Sequence, residues 1–147
     1  MRRWISSTAC WRRSCRSSAS GSGSGSIGHR VRIGPHTRTQ IHDHAHNWTL
    51  YGVLDGTESI ERYERVDDRS KPDCAEIRKT VNVKVGAGKI DLVPPYEIHA
   101  EESGDERTVA IIVRAEKAGG FLQGRYDPVT NKYWQGYGPK QLPFDLK

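Results

Sequence analysis

The chain has 147 residues and a formal net charge of +5, with 23 basic and 18 acidic side chains. This length predicts one domain with a real hydrophobic core and is short for two ordinary domains. The basic excess lies entirely in residues 1–32, which hold seven arginines and no acidic residue, so residues 33–147 carry a net charge of −2. Because nucleic-acid binding needs clustered Lys and Arg on the folded part, no nucleic-acid partner is expected.

The N-terminal segment, MRRWISSTACWRRSCRSSASGSGSGS, is rich in Arg, Ser and Gly and has no sustained apolar periodicity. It lacks the apolar stretch of about 7–15 residues that a secretory signal requires, and its Gly-Ser repeat is typical of a flexible linker. We therefore expect residues 1–30 to be disordered, with a transit peptide or a mis-assigned start as alternatives. No apolar run approaches the ~20 residues that span a bilayer, so a cytoplasmic protein without a membrane partner is expected.

Residues 31–147 predict strands separated by turns. WTLYGVL and TESIERYERV flank Asp55-Gly56, a pair that favours a type I′ hairpin. EIRKTVNVKV alternates in strand fashion, KIDLVPP ends at two prolines, and RTVAIIVR is rich in β-branched residues. No long amphipathic helix is expected, and the pattern favours an all-β sandwich or barrel. The last residues, RYDPVTNKYWQGYGPKQLPFDLK, predict a turn-rich extension.

IHDHAHNW places three of the six histidines at alternate positions, His42, His44 and His46. On a strand they would share one face, and Asp43 would point to the other. Neighbours two apart lie about 6.5–7 Å from each other at Cα, so two imidazoles can converge on one metal ion. Surface histidines and hydrogen-bonded core histidines are the alternatives. His46 is expected to lie outside the site, because the strand can end near Asn47.

A second segment, GKIDLVPPYEIH, repeats the order turn, strand, proline corner and histidine. Together the two segments resemble the two motifs of the cupins, and the resemblance covers roughly residues 31–126. The positions that match are His42, His44, Gly56, Gly88, Pro94 and His99. Tyr96 stands where the second motif has its second glycine. The resemblance implies a cupin-type double-stranded β-helix, a jelly-roll barrel, over residues 31–147 with the C-terminal extension.

The cupin glutamate ligand would fall at Thr49, so the resemblance implies a metal site of three histidines, His42, His44 and His99. Such a site is similar to that of the cysteine dioxygenase-like branch, the thiol dioxygenases. Glu101 and Glu102 follow the third histidine closely. Either could replace the missing carboxylate, but surface charge is expected.

This resemblance implies a non-haem iron dioxygenase that oxidises a small thiol to a sulfinate with Fe2+ and dioxygen. Thr49 and Arg114 are the expected substrate-binding residues, because a guanidinium pairs bidentately with a carboxylate. A strand-end arginine that reaches solvent is the alternative for Arg114. No further catalytic residue is assigned, and the chain is expected to be a monomer or homodimer.

Two other functions stay open. One is a cupin that holds another divalent metal and does isomerase or hydrolytic chemistry, since ligand spacing does not choose among metals. The other is a non-catalytic cupin that binds a small molecule.

Overall fold

The computed structural model describes residues 27–139 and builds them almost entirely from β-structure. Its strands are β1 (Ile27–Ile33), β2 (Thr49–Asp55), β3 (Thr57–Arg65), β4 (Ile77–Gly86), β5 (Ile90–Val93), β6 (Ile98–Ser103), β7 (Thr108–Arg114), β8 (Leu122–Asp127) and β9 (Lys132–Tyr137). The all-β prediction is confirmed. β1 begins upstream of residue 31, where the barrel was expected to start, and the expectation for residues 1–26 lies outside the described range. Within that range no helix could cross a membrane.

The strands form two antiparallel layers. The first sheet has the order β1-β7-β2-β5, and the second has the order β4-β3-β6. Residues 38–42 extend the second sheet beside β6, through bridges from Arg38 to Glu102 and from His42 to His99. Along the chain, successive strands therefore alternate between the sheets, except that β3 and β4 are neighbours in one sheet. This is the strand order of a jelly roll, and it confirms the double-stranded β-helix.

The space between the sheets is apolar at one end. Val53, Ile60 and Val85 form one buried cluster there. Tyr51, Val93 and Ile112 form a second cluster. The β-branched residues of these strands pack well on a pleated surface, which explains why these short segments fold as strands.

The predicted hairpin at Asp55-Gly56 is wrong. β2 does end at Asp55 and β3 begins at Thr57. However, β2 pairs with β5 and β7, whereas β3 pairs with β4 and β6. Gly56 has a φ of +80°, and a Cβ there would lie 2.6 Å from the carbonyl oxygen of Arg107. The glycine therefore forms a tight corner that carries the chain from one sheet to the other.

The C-terminal extension is more ordered than its turn-rich sequence predicts. β8 and β9 pair as an antiparallel hairpin. β8 joins the second sheet beside residues 41–43: Asp43 N donates to Gly124 O at 3.1 Å and Tyr126 N donates to Ile41 O at 3.0 Å. Tyr126 packs with Ile41, Ile98 and other buried residues on the outer side of that sheet. The hairpin thus lies directly against the histidine segment.

Candidate metal centre

His42 and His99 are held by the same local arrangement on neighbouring chain segments. Each donates its backbone N–H to the carbonyl oxygen of the other at 2.9 Å. The His42 ring places Nδ1 2.8 Å from the carbonyl oxygen of Gln40, and the His99 ring places Nδ1 2.9 Å from that of Glu97. A carbonyl oxygen only accepts, so both rings donate from Nδ1. A neutral ring of this kind keeps a lone pair on Nε2 for a metal ion.

His44 completes the group of three imidazoles. Its ring centroid lies 4.8 Å from that of His42 and 4.9 Å from that of His99. Its Nδ1 lies 3.0 Å from Nε2 of Gln123, and its Nε2 lies 3.4 Å from the hydroxyl of Tyr51. The structure therefore brings together the three histidines that the sequence predicted as metal ligands.

Glu101 is a fourth member of the cluster, and its expected assignment to surface charge is wrong. Only 4% of the residue is exposed. It follows His99 by two positions on β6, so alternation along the strand puts both side chains on the inner face. Its Oε1 lies 3.2 Å from Nε2 of His99, and its Oε2 accepts from the hydroxyl of Thr39 at 2.7 Å. Glu102, on the other face, is partly exposed instead.

The four side chains suit a divalent cation. One ligand atom from each of His42, His44, His99 and Glu101 lies within 4.8 Å of the others. Nε2 of His99 and Oε1 of Glu101 are buried without a hydrogen-bond partner among the described residues. Buried polar atoms are normally satisfied, and a proton or a metal ion between these two atoms would satisfy both. Imidazole and carboxylate donors in this number fit Zn2+, Mn2+ or Fe2+.

The protonation states of three of the four groups agree with this use. Burial, followed by the charge of His99, lowers the pKa of His42 to about 4 and that of His44 to about 2. Burial alone would lower the pKa of His99 and raise that of Glu101, but their mutual attraction reverses both shifts. Two rings are therefore neutral, and the carboxyl is ionised. Neutral imidazole and ionised carboxylate are the forms that bind a metal ion, so a bound ion would displace the proton that Glu101 favours on His99.

Three buried polar side chains, Asn47, Thr49 and Arg114, lie on or just before strands of the first sheet and are called the polar wall here. Thr49 on β2 lies directly opposite Arg114 on β7. Asn47, Thr49 and Arg114 are 1%, 0% and 8% exposed. Both amide atoms of Asn47, Oγ1 of Thr49 and Nε of Arg114 have no hydrogen-bond partner among the described residues. The alternative in which Arg114 reaches solvent is therefore wrong, because its side chain is held inside the barrel.

Two neighbours of the histidine ligands have other contacts. Ala45 has a φ of +49°, which turns the chain after His44. His46 is consequently exposed, and its Nε2 lies 2.8 Å from a carboxylate oxygen of Glu116. Asp43 points to the opposite side from the ligands, as expected, and accepts from Gly124 N at 3.0 Å and the Tyr126 hydroxyl at 2.6 Å. His46 therefore lies outside the cluster, whereas Asp43 ties the ligand segment to β8.

Sequence reasoning missed Asn47 and Gln123. Asn47 follows a non-helical turn and belongs to no recognisable motif. Gln123 contacts His44 from a hairpin 79 residues away in the sequence. No local pattern indicates either contact. Glu101 did have a signal, because its alternate spacing from His99 on a predicted strand places it on the same face.

Comparisons with known proteins give a likeness to solved structures only. No protein-family model matches the chain, and no curated protein matches it significantly. An oxalate oxidase in complex with the substrate analogue glycolate is similar with a TM-score of 0.49 and 17% identity, over 63% of this chain and 42% of that one. This chain therefore spans about two fifths of that structure's length.

Two further structures are similar at the same level. The Schizosaccharomyces pombe Cnp3 cupin domain has a TM-score of 0.48 and 11% identity, over 64% of each chain. An uncharacterised conserved Klebsiella pneumoniae protein with a double-stranded β-helix domain has a TM-score of 0.44 and 16% identity, over 78% of this chain and 76% of that one. The fold assignment rests on the strand order and pairing described above. These define a double-stranded β-helix with a buried cluster of three histidines and one glutamate.

Proposed function

We propose that the protein is a metal-dependent dioxygenase that oxidises a small thiol to a sulfinate, with Fe2+ held by His42, His44, His99 and Glu101. The observation that carries the proposal is the buried cluster, in which one ligand atom from each of the four side chains lies within 4.8 Å of the others. Four protein donors leave positions on an octahedral ion for a substrate and a second small molecule. A cytoplasmic location is proposed with it.

A ferrous ion there would supply oxygen activation beside a bound thiolate, for the balanced reaction R–SH + O2 → R–SO2H. The sulfur is oxidised, and both atoms of dioxygen end on it. The chain's own residues bind and orient the reactants. The carbonyl oxygens of Gln40 and Glu97 fix the ring orientation of two ligands, and the Glu101 carboxylate offsets part of the ion's charge.

The polar wall gives the proposed thiol a second point of attachment. Arg114 would bind an anionic group on the substrate, and Thr49 and Asn47 would supply hydrogen bonds beside it. The Nε of Arg114 is buried without a hydrogen-bond partner among the described residues, and a carboxylate matches the planar shape of a guanidinium. Tyr51 lies between the wall and His44. Burial, and next the charge of Glu101, raises the pKa of its hydroxyl well above the ordinary value, so the hydroxyl keeps its proton.

Glu101 also favours a second candidate function. A hard carboxylate donor suits Mn2+ or Zn2+ as well as iron, and a site of this composition could serve isomerase or hydrolytic chemistry. The two candidates differ in one property, which is whether a thiol makes the loaded protein consume oxygen. A non-catalytic small-molecule-binding barrel would bind a ligand without turnover.

The first experiment is elemental analysis of the purified protein, followed by oxygen uptake after addition of iron(II) and a panel of small thiols. The panel contains thiols with a carboxylate, with an amine and with neither group. We expect about one metal ion per chain and uptake with the carboxylate thiols. Metal without thiol-dependent uptake would favour the second candidate, and absence of metal binding would contradict both metal-dependent functions.

His99→Ala tests the ligand assignment. The variant removes one of the four donor side chains, so we expect metal occupancy to be lost. His46→Ala is the matched control, because His46 lies on the same loop as His44 but is exposed and outside the cluster. Its occupancy should equal that of the wild type. Equal occupancy in His99→Ala would remove His99 from the site.

A further inference from the structure

His44 differs from the other two histidine ligands in the group that contacts its Nδ1. Nδ1 of His42 and of His99 lies against a backbone carbonyl oxygen, which accepts a hydrogen bond. Nδ1 of His44 lies 3.0 Å from a side-chain nitrogen, Nε2 of Gln123. Which ring nitrogen of His44 carries the proton therefore depends on the orientation of the Gln123 amide.

Arg125 fixes that orientation. Its guanidinium donates to Oε1 of Gln123 at 3.0 Å. An arginine has donors and no acceptor, so the amide oxygen must face Arg125 and the amide NH2 must face His44. Gln123 is 2% exposed, which leaves it no water-facing alternative. The amide therefore donates to Nδ1 of His44.

The rest of the network is consistent with this direction. A neutral imidazole whose Nδ1 accepts has its proton on Nε2. Nε2 of His44 lies 3.4 Å from the hydroxyl oxygen of Tyr51, which can accept this proton in a long hydrogen bond. Each hydrogen bond in this series then points the same way, from Arg125 to Gln123, from Gln123 to His44 and from His44 to Tyr51. In this state the lone pair of Nε2 is not available to a metal ion.

We infer that Arg125 and Gln123 hold His44 in the tautomer that opposes metal binding, and that metal binding requires the side-chain amide group of Gln123 to flip. The inference rests on the proposed function, because it assumes that His44 is a metal ligand. After the flip, Oε1 accepts from an Nδ1–H of His44, as the carbonyl oxygens do for the other two rings, and Nε2 is free. The Nε2 proton leaves and Nδ1 gains one, so the ring stays neutral. Gln123 is thus a positioning residue that sets metal affinity.

Gln123→Glu tests the inference. A carboxylate accepts from Arg125 with one oxygen and from Nδ1–H of His44 with the other. The variant therefore allows the metal-binding tautomer of His44 without a flip of the side chain. Changes in such outer partners alter metal affinity by about 10–100-fold, and we expect Gln123→Glu to bind cobalt(II) about tenfold more tightly than the wild type in a spectroscopic titration. Gln135→Glu is the control, because Gln135 is exposed on the paired strand β9. Its affinity should not change.

The tautomer itself is measured on metal-free protein by 1H–15N NMR of the histidine rings. We expect the proton of His44 on Nε2 in the wild type and on Nδ1 in Gln123→Glu. A wild-type His44 with its proton on Nδ1 would overturn the inference. So would tighter cobalt binding by Gln123→Glu without movement of the proton, since added negative charge would then explain the gain.

A second variant protects the test against misfolding. Arg125→Met removes the donor that fixes the amide, so it should also bind cobalt(II) more tightly and allow the proton onto Nδ1. Unchanged affinity and an unchanged tautomer in this variant would contradict the inference. A wild-type protein that binds no cobalt would instead contradict the proposed function, and the NMR result on metal-free protein distinguishes the two failures.

Discussion

The orientation of two histidine ligands is set by the residues immediately before them. In both Gln40-Ile41-His42 and Glu97-Ile98-His99 the ring contacts the carbonyl oxygen two positions back. The isoleucine between them packs in the cluster on the outer side of the sheet. Alternation along an extended chain therefore anchors the backbone on one side and presents the ring on the other. A short apolar-His pattern is enough to preorganise each ring.

Glu58 provides a residue-scale prediction about pH. It lies on the inner face of β3, is 1% exposed, and its Oε2 has no hydrogen-bond partner among the described residues. Burial, and then the charge of Glu101, raises the pKa of Glu58 to about 7 from an ordinary value of 4.5. Between these two values the folded protein holds a proton that the unfolded chain has released. The stability of the wild type should therefore fall as the pH rises through this window.

Glu58→Gln should lack this loss. A shift of this size corresponds to roughly 3 kcal/mol of unfolding free energy once the pH exceeds 7. We expect the variant to gain stability relative to the wild type between pH 4.5 and pH 8 in urea titrations of metal-free protein. Glu106→Gln, at an exposed position, serves as the control. A difference between Glu58→Gln and wild type that does not change with pH would contradict the prediction.

The residues of the site were predictable where the signal was local. His42, His44 and His99 lie in two short motifs, and alternation alone excludes Asp43 from their face. The same alternation places Glu101 on the face of His99. Glutamate is usually exposed, however, so Glu101 was expected at the surface. Gln123 could not be predicted, because its contact with His44 depends on how a distant hairpin docks.

At the scale of elements, the contact between β8 and the histidine segment depends on a glycine. A Cβ at Gly124 would lie 2.2 Å from Oδ2 of Asp43 and 2.9 Å from the hydroxyl of Tyr126. Gly124→Ala should therefore separate β8 from the segment and break the hydrogen bonds of the Asp43 carboxylate. Breaking a buried network of this kind costs about 1–3 kcal/mol for each unsatisfied group.

Gly136→Ala is the matched control for this prediction. Gly136 lies on the partner strand β9, and a Cβ there has no atom within 4 Å. In thermal unfolding we expect Gly124→Ala to melt several degrees below the wild type and Gly136→Ala to stay close to it. Equal melting temperatures for the two variants would show that β8 does not depend on the close approach to Asp43.

The strands themselves were easier to predict than their partners. Alternation and β-branched residues identify β2, β3 and β7, but the pairing at Asp55-Gly56 depends on a corner that sequence alone does not separate from a hairpin. Tyr96 gives a second example, because it occupies the position of a motif glycine and has a φ of +61°. Its N–H donates to the carbonyl oxygen of Ala45 at 2.7 Å. A residue other than glycine therefore adopts the left-handed conformation that glycine favours.

At the scale of the whole molecule, the two sheets contribute different chemistry to the interior. The cluster of three histidines and Glu101 comes from the second sheet and the segment beside it. The unpaired groups of Thr49 and Arg114 come from the first sheet. The candidate metal centre and these unpaired groups therefore belong to different sheets. In the proposed function the second sheet would hold the metal ion and the first sheet would bind the substrate.

Metal binding should stabilise the whole domain by mass action. A ligand present at 100 times its Kd and bound only to the folded state adds about 2.7 kcal/mol to the unfolding free energy. For a domain of this size that amounts to roughly 10 °C in melting temperature. We expect saturating Mn2+ or Fe2+ to raise the melting temperature of the wild type by about this amount and a chelator to reverse the rise.

Glu101→Gln separates the contribution of the carboxylate from that of the imidazoles. Its amide keeps an oxygen that can accept from the hydroxyl of Thr39, but it supplies no charge to the ion. The metal-dependent rise in melting temperature should therefore shrink in this variant and persist in His46→Ala, whose side chain is outside the cluster. An undiminished rise in Glu101→Gln would mean that the carboxylate is not a ligand. The three histidines would then have to bind the ion alone.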